Sequence, residues 1–90
     1  MLIALIARDR PGALQTRLDT RAAHLAYIAE TGVVVQAGPL LDAEGQMCGW
    51  LVILEVADRA AAEAWAGNDP YARAGLFREV ELIEWKKVIG

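Results

Sequence analysis

Two strand-like segments of this 90-residue chain, Leu2–Ala7 and Leu51–Leu54, are apolar at every position. A strand with one face in water alternates apolar and polar residues, so an unbroken apolar run indicates burial on both faces. A sheet built on these strands therefore needs a cover on each side. The rest of the chain can supply one cover, and self-association is the natural source of the other.

The remaining segments predict which elements the chain can place around that sheet. Gly32 is expected to end a long first helix, and Gly67 a second helix that Asp58 caps. The predicted elements are a strand at 2–7, a helix at 13–30, a strand at 33–37 that residues 40–41 can extend, a strand centred on 50–56, a helix at 59–66, a short turn or helix from 69, and an exposed edge strand at 77–86.

The order βαββαβ is that of the ferredoxin-like α+β fold, a four-stranded antiparallel sheet with both helices on one face. We expect a single domain over residues 1–90. The second sheet face would stay apolar and open, which is typical of an interface. The hydrophobic fraction of 56% exceeds the ~45–50% of average soluble domains. We therefore expect a homodimer through the open sheet face, packed face to face or as a joint dimeric α/β barrel.

The first helix combines an apolar stripe with polar residues that a purely packing helix would not place there. At ~100° per residue, Arg21 falls near the middle of the stripe, and Arg17 and His24 fall on one flank. We expect a polar site at the edge of the buried face, with Arg17 facing solvent. The stripe consists of Leu14, Leu18, Leu25, Ile28 and Ala29.

His24, the only histidine, is the first candidate for chemistry. An imidazole exchanges protons near neutral pH, although many helix histidines only bond to a carbonyl. Asp69 is the second candidate, and an Asp before a Pro is also what capping a helix requires. One carboxylate oxygen can cap while the other orients a histidine. Because both helices lie on the same sheet face, the end of the second helix can approach the middle of the first.

Other side chains have an ordinary and a functional interpretation. Arg21 can bind an anionic oxygen or simply extend its charge to water. Tyr71, Trp50 and Trp65 can wall a cleft, but aromatic residues more often belong to a core or an interface. Nothing in the sequence indicates that Cys48 is reactive.

Several classes of function are not expected. One His, one Cys and no clustered carboxylates do not build a metal site, there is no glycine-rich phosphate loop, and no cofactor is expected. A net charge of −3 without a basic run argues against nucleic-acid binding. The apolar start is too short for a membrane span or a signal peptide. A single cysteine fits a reducing cytoplasm, so a cytoplasmic location is expected.

Four short motifs together resemble the YciI-like (YCII-related) family over essentially the whole chain. The resemblance implies a ferredoxin-like fold, a dimeric α/β barrel and an active site with a His–Asp pair. Residue by residue, it implies His24 and Asp69 as the pair, Arg21 as the preceding arginine, and Gly38 and Pro39 as the Gly-Pro element. One branch of the family resembles dehydrochlorinases of chlorinated hydroxyquinols. The motifs are Arg21-x-x-His24-Leu25-x-Tyr27, Gly38-Pro39-Leu40, Gly49 before a strand, and Asp69-Pro70-Tyr71-x-x-Ala74-Gly75-Leu76.

The sequence is compatible with two functions. The first is a small cofactor-independent enzyme, an isomerase or an eliminating lyase, in which His24 and Asp69 transfer a proton on a small anionic, aromatic or lactone substrate. Arg21, Gly38, Pro39 and Tyr71 would bind that substrate. The alternative is a module that binds a small molecule, or oligomerises, without turnover.

Overall fold

The computed structural model describes residues 1–90. Its strands form one antiparallel sheet in the order β2-β3-β1-β4, and this confirms the predicted ferredoxin-like plan. The elements are β1 (Leu2–Asp9), α1 (Leu14–Thr31), β2 (Val34–Leu41), β3 (Met47–Glu55), α2 (Arg59–Asn68), α3 (Pro70–Arg73) and β4 (Phe77–Trp85). None of the helices combines the length with the hydrophobicity that a membrane-spanning helix needs.

The helices and the sheet share one core. Ile3, Leu5 and Ala7 on β1 lie beside alternate residues of β3 and pack against Ala62 and Trp65 of α2. Tyr27 and Ile28 of α1 pack against the same cluster, so both long helices cover one face. This face is made by alternate strand residues, as the pleat of a β-strand requires.

The opposite sheet face carries no helix and is apolar at its centre, with Arg8, Glu79 and Glu81 at one end. Its central residues Ala4 and Ile53 are already buried. Three larger residues around them, Leu51, Ile83 and Trp85, are 38–45% exposed. One side of each unbroken apolar run therefore faces the helices, as expected, and the other faces this open surface. The expected second cover stays a prediction.

The helix ends follow local chemistry, with one difference from prediction. Gly32 ends α1 in a left-handed conformation at φ 65°, which glycine adopts without steric cost. Gly67 does not end α2, which continues to Asn68. Asp69 leaves the helix in an extended conformation, because the ring of Pro70 disfavours a helical conformation for the residue before it.

Candidate active site

The buried face of α1 is polar. Arg17 and His24 are its fully buried residues, and Thr20 and Tyr27 beside them are half-buried. The predicted leucine stripe is instead turned outward, with Leu14, Leu18 and Leu25 between 41% and 49% exposed. The predicted orientation of the helix is therefore wrong by about one residue, or ~100° around its axis. Polar partners on other elements set the rotation, and helical periodicity carries no information about them.

Arg17 was expected to face solvent, and this prediction is wrong: the residue is 1% exposed. Its Nε donates to Asp9 Oδ2 at 2.8 Å and its Nη2 to Asp9 Oδ1 at 3.0 Å. This is the two-bond geometry in which a guanidinium fits a carboxylate. Nη2 also donates to the Gly49 carbonyl at 2.8 Å. The strand ends of β1 and β3 are thereby tied to the first turns of α1.

Sequence reasoning missed Asp9 as part of this region. Strand alternation was the signal that could have found it, because Asp9 follows Ile3, Leu5 and Ala7 on the helix-facing side of β1. Gly49 is also required here, since a Cβ at this position would collide with the Ala7 carbonyl oxygen. The glycine lets β1 and β3 approach where its own carbonyl accepts from Arg17.

The expected contact between His24 and Asp69 is present in the structure. Nδ1 of His24 lies 2.6 Å from Oδ1 of Asp69, and both side chains are buried. The same Oδ1 accepts the backbone N–H of Tyr71 at 3.0 Å. Asp69 therefore caps α3 and holds the histidine with one oxygen, whereas the sequence argument assigned one oxygen to each task. Proline at the first position of α3 fixes the turn that aims this carboxylate at α1.

The pair determines which nitrogen of His24 is free for chemistry. A carboxylate only accepts hydrogen bonds, so the proton between the two groups belongs on Nδ1. In the neutral imidazole Nε2 then carries the lone pair and can accept a proton. Nε2 is buried and has no hydrogen-bond partner within the protein.

Aromatic rings fix the plane of the imidazole. Tyr71 stacks on His24 with the ring centroids 3.9 Å apart and an interplanar angle of 15°. The Trp50 ring meets the His24 ring edge-on, with the ring centroids 4.9 Å apart and an interplanar angle of 77°. The guanidinium carbon of Arg17 lies 5.0 Å from the Tyr71 ring and 5.6 Å from the Trp50 ring, within the range of cation–π attraction. Arg17, His24, Trp50, Asp69 and Tyr71 form what we call the buried cluster.

A second nitrogen of the buried cluster also lacks a partner. Nε1 of Trp50 is buried without a hydrogen bond in the protein. Each unpaired buried polar group costs about 1–3 kcal/mol. Such groups are rare in native structures, and their concentration in one place is typical of a functional site.

The structure does not bring every predicted substrate-binding residue to His24. Tyr71 contacts it directly. Arg21, about one turn before His24 on α1, is exposed, although its charge still acts on the pKa of Tyr71. Gly38 and Pro39 line a groove of about 510 Å³ on the open sheet face, with Leu51, Ile53 and Trp85. Neighbouring residues of β2 turn to opposite faces of the sheet, since Gly38 pairs with Leu51 and Pro39 with Trp50. Binding of the substrate by Arg21, Gly38 and Pro39 stays a prediction.

The two tyrosines of the chain, Tyr27 and Tyr71, both belong to this side of the sheet. Burial raises the pKa of Tyr71 above its ordinary 10.0, and the nearby charges of Arg17 and Arg21 oppose that rise. Burial, followed by the Asp69 carboxylate, also raises the pKa of Tyr27, and Arg73 opposes it. The phenol of Tyr27 donates to the Trp65 carbonyl at 2.9 Å.

We predict that the native protein ionises its tyrosines only above pH 10 and that the unfolded protein does so near pH 10. Folding raises the pKa of both tyrosines, so the neutral phenols stabilise the folded state. This contribution to the free energy of unfolding is complete below the pKa of unfolded tyrosine and is lost as the pH rises through the pKa values of the folded protein. Absorbance at 295 nm against pH, with and without denaturant, measures this, and Tyr27→Phe assigns the remaining step to Tyr71. Identical native and unfolded curves would contradict the burial described for both phenols.

Comparisons with known proteins agree with this fold. A family model described as the YCII-related domain matches residues 1–86. The protein YciI of Escherichia coli O6:H1 is 35% identical, and the match covers 98% of this chain and 99% of that protein. An uncharacterized protein of Haemophilus influenzae is 33% identical, and the match covers 98% of this chain and 99% of that protein.

Solved structures give the same result. The 5-chloro-2-hydroxyhydroquinone dehydrochlorinase of Burkholderia phenoliruptrix AC1100, in complex with 2,5-dihydroxybenzoquinone, is 36% identical with a TM-score of 0.88, covering 96% of this chain and 94% of that one. An antibiotic biosynthesis monooxygenase shares the fold alone, at 17% identity and a TM-score of 0.55, with 97% of this chain and 100% of that chain covered. By its sequence match over residues 1–86 and its near-full-length relatives, the chain belongs to the YCII-related family.

Proposed function

We propose that this protein is a small-molecule enzyme that transfers a proton, of the eliminating-lyase or isomerase type, with His24 as the acid–base group. The observation that carries the proposal is the buried contact of 2.6 Å between His24 Nδ1 and Asp69 Oδ1, which leaves Nε2 without a partner. Asp69 would hold the tautomer and stabilise the imidazolium that forms when Nε2 takes a proton. This chemistry needs a proton acceptor and a donor for the developing negative charge, and side chains can supply both.

The similarity to a 5-chloro-2-hydroxyhydroquinone dehydrochlorinase supports hydroxylated rings as the substrate class to examine first. One hydroxyl proton first moves to the ring carbon that bears the chlorine, which gives a ketone tautomer with a C–H bond at that carbon. Loss of a second hydroxyl proton to Nε2 then forms the other C=O bond while chloride leaves with the C–Cl electron pair, so the sum is elimination of HCl. The ring is left at the quinone level, so no external oxidant is required. Tyr71 and Trp50 provide flat apolar surfaces beside Nε2, which suit a planar ring.

Access to Nε2 requires movement within the buried cluster. His24 has no exposed surface, and Arg17, Asp69 and Tyr71 are at most 2% exposed. Trp50, at 9%, is the most exposed side chain of the group. We propose that a ligand enters on the Trp50 side.

The test is a direct assay of the wild-type protein with 5-chloro-2-hydroxyhydroquinone. We expect one chloride ion per substrate molecule, measured by ion chromatography, and exchange of substrate hydrogens in D₂O detected by mass spectrometry. A protein that binds hydroxyquinols but releases no chloride and catalyses no exchange would refute proton-transfer catalysis on this substrate class.

The second candidate function is binding without turnover. It is favoured by the complete burial of His24 in this conformation, because an enclosed polar cluster can also serve to hold a ligand. In that case 2,5-dihydroxybenzoquinone should raise the melting temperature without being converted. Stabilisation would follow saturation, reaching about 2.7 kcal/mol at a hundred times the Kd.

We also propose that the protein is a homodimer through the open sheet face. The face is formed by Leu2, Ala4, Ile6, Leu51, Ile53, Ile83 and Trp85. Light scattering should give twice the protomer mass of 9.8 kDa. Ile83→Glu should give monomers, because it places an unpaired charge within the apolar contact.

Leu18→Glu is the matched control for the dimer. Leu18 is 49% exposed and Ile83 45%, but Leu18 lies on the outward side of α1, so this variant should remain a dimer. Dissociation by Leu18→Glu together with an intact Ile83→Glu dimer would place the interface on the helices instead.

A further inference from the structure

Trp50 differs from the other buried tryptophan in what its indole nitrogen does. Nε1 of Trp65 donates to Thr31 Oγ1 at 2.9 Å, although that side chain is as buried as Trp50. Nε1 of Trp50 is buried and donates to nothing in the protein. A buried indole N–H normally has an acceptor. The unused donor of Trp50 therefore requires an explanation that packing does not give.

The ring that carries the unused donor touches the ring of the proposed acid–base group. The rings of Trp50 and His24 are in edge contact, with their centroids 4.9 Å apart. Both nitrogens without partners, Trp50 Nε1 and His24 Nε2, belong to these two touching rings. Because the rings adjoin, the two nitrogens are treated as parts of one candidate site.

We propose that the indole N–H of Trp50 binds the oxygen on which negative charge develops when His24 Nε2 removes a proton from the substrate. This assignment rests on the proposed function and specifies its substrate class: a compact ring or chain with an oxygen conjugated to the O–H or C–H bond that is broken. The proton goes to Nε2, the electron pair of the broken bond moves onto that oxygen, and Trp50 donates to it. In an elimination the pair then reforms the C=O bond while chloride leaves with its own pair.

Two arginines could also offer a donor, but one is largely engaged in the protein and the other is exposed. Nε and Nη2 of Arg17 are already bonded to Asp9 and to the Gly49 carbonyl. Arg21 is exposed, so solvent and salt screen its charge. Arg17 contributes positive charge at 5.6 Å from the Trp50 ring, which favours an anionic oxygen at the indole N–H without directly bonding it.

The test compares Trp50→Phe with Trp65→Phe in binding two quinones by calorimetry. The first, 2,5-dihydroxybenzoquinone, presents ionised oxygens, and the second, 2,5-dimethoxybenzoquinone, has no ionisable hydroxyl. Losing a hydrogen bond to a charged group costs about 10- to 100-fold in affinity. We expect that loss for the dihydroxy compound with Trp50→Phe, near-constant binding of the dimethoxy compound, and no change for either with Trp65→Phe.

The comparison of ligands separates a donor from a packing residue. An equal loss of both quinones in Trp50→Phe, or unchanged binding of the dihydroxy compound, would overturn the assignment, as would a wild type that binds neither. If Trp50→Phe does not fold, benzothienylalanine at position 50 keeps the ring shape without the N–H, and the same selective loss is expected.

Kinetics distinguishes this inference from the proposed function. If the wild type releases chloride, Trp50→Phe should lower kcat by about 10²–10³, the usual effect of removing one oxyanion donor, with a smaller change in KM. Turnover that is unaffected by Trp50→Phe overturns the role of the tryptophan and leaves His24 catalysis standing. If the wild type shows no turnover and Trp50→Phe selectively loses binding of the dihydroxy compound, the enzyme proposal is overturned and Trp50 is supported as the binding donor.

Discussion

Replacing His24 with asparagine is expected to lower kcat by about 10²–10⁴, the usual contribution of a positioned acid–base group, and to leave the fold intact. The amide nitrogen of asparagine can still donate to Asp69 in place of Nδ1, which lies 2.6 Å from Oδ1. No atom of asparagine stands where Nε2 was. The variant therefore removes the proton acceptor while it keeps the buried hydrogen bond, and thermal unfolding verifies that the protein is folded.

Asp69→Asn separates orientation of the histidine from capping of α3. Asparagine is as good an N-cap as aspartate, so the turn to Tyr71 should persist. The amide no longer fixes the proton on Nδ1 or stabilises the imidazolium, and this loss costs about 10⁴ in kcat where a comparable pair has been studied. The expected result is a large fall in kcat with a nearly unchanged KM.

Asp58→Asn provides the matched control. Asp58 also caps a helix, accepting from the Ala61 backbone N–H at 2.8 Å, but it is exposed and distant from the histidine. This variant should retain wild-type kinetics. Equal losses in Asp58→Asn and Asp69→Asn would reduce Asp69 to a capping residue, and full activity of His24→Asn would end the acid–base proposal.

Replacing Arg17 with alanine is expected to destabilise the fold by about 3–5 kcal/mol, the cost of removing one partner of a buried ion pair. The side chain of Asp9 is only 8% exposed and would keep a charge without its guanidinium, and the Gly49 carbonyl would lose its donor. A chain of this length has a total stability of about 5–14 kcal/mol. The variant should therefore unfold at a much lower urea concentration, with an unchanged m-value.

Arg59→Ala is the control for that experiment. Arg59 pairs with Glu63 at 3.2 Å, but the two side chains are 57% and 59% exposed, and such a pair contributes about 0.3–0.5 kcal/mol. The double variant Asp9→Leu/Arg17→Met should recover part of the stability lost in Arg17→Ala, because the isolated charge is removed. A stability loss in Arg17→Ala no larger than that in Arg59→Ala would mean that Asp9 reaches solvent.

Much of the fold could be predicted from the sequence because its signals are local. The unbroken apolar run Leu2–Ala7 requires a strand covered on both sides, and Gly32 marks the end of α1 through its left-handed conformation. The segment order then limits the topology to few arrangements. Asp69 before Pro70 predicted the cap that the structure contains, and the single histidine predicted which side chain that carboxylate would meet.

The sequence did not determine how α1 is rotated, and this decided the composition of the site. Leu14, Leu18 and Leu25 give the stronger periodic signal, yet the helix buries Arg17 and His24. The reason is that Asp9 and Asp69 are separated from their partners by 8 and 45 residues. Pairing of such groups depends on the packed position of strands and helices, which no local pattern records. The sequence therefore supplied the pair of His24 and Asp69, and only the tertiary structure placed Arg17 and Trp50 beside it and left Arg21 exposed.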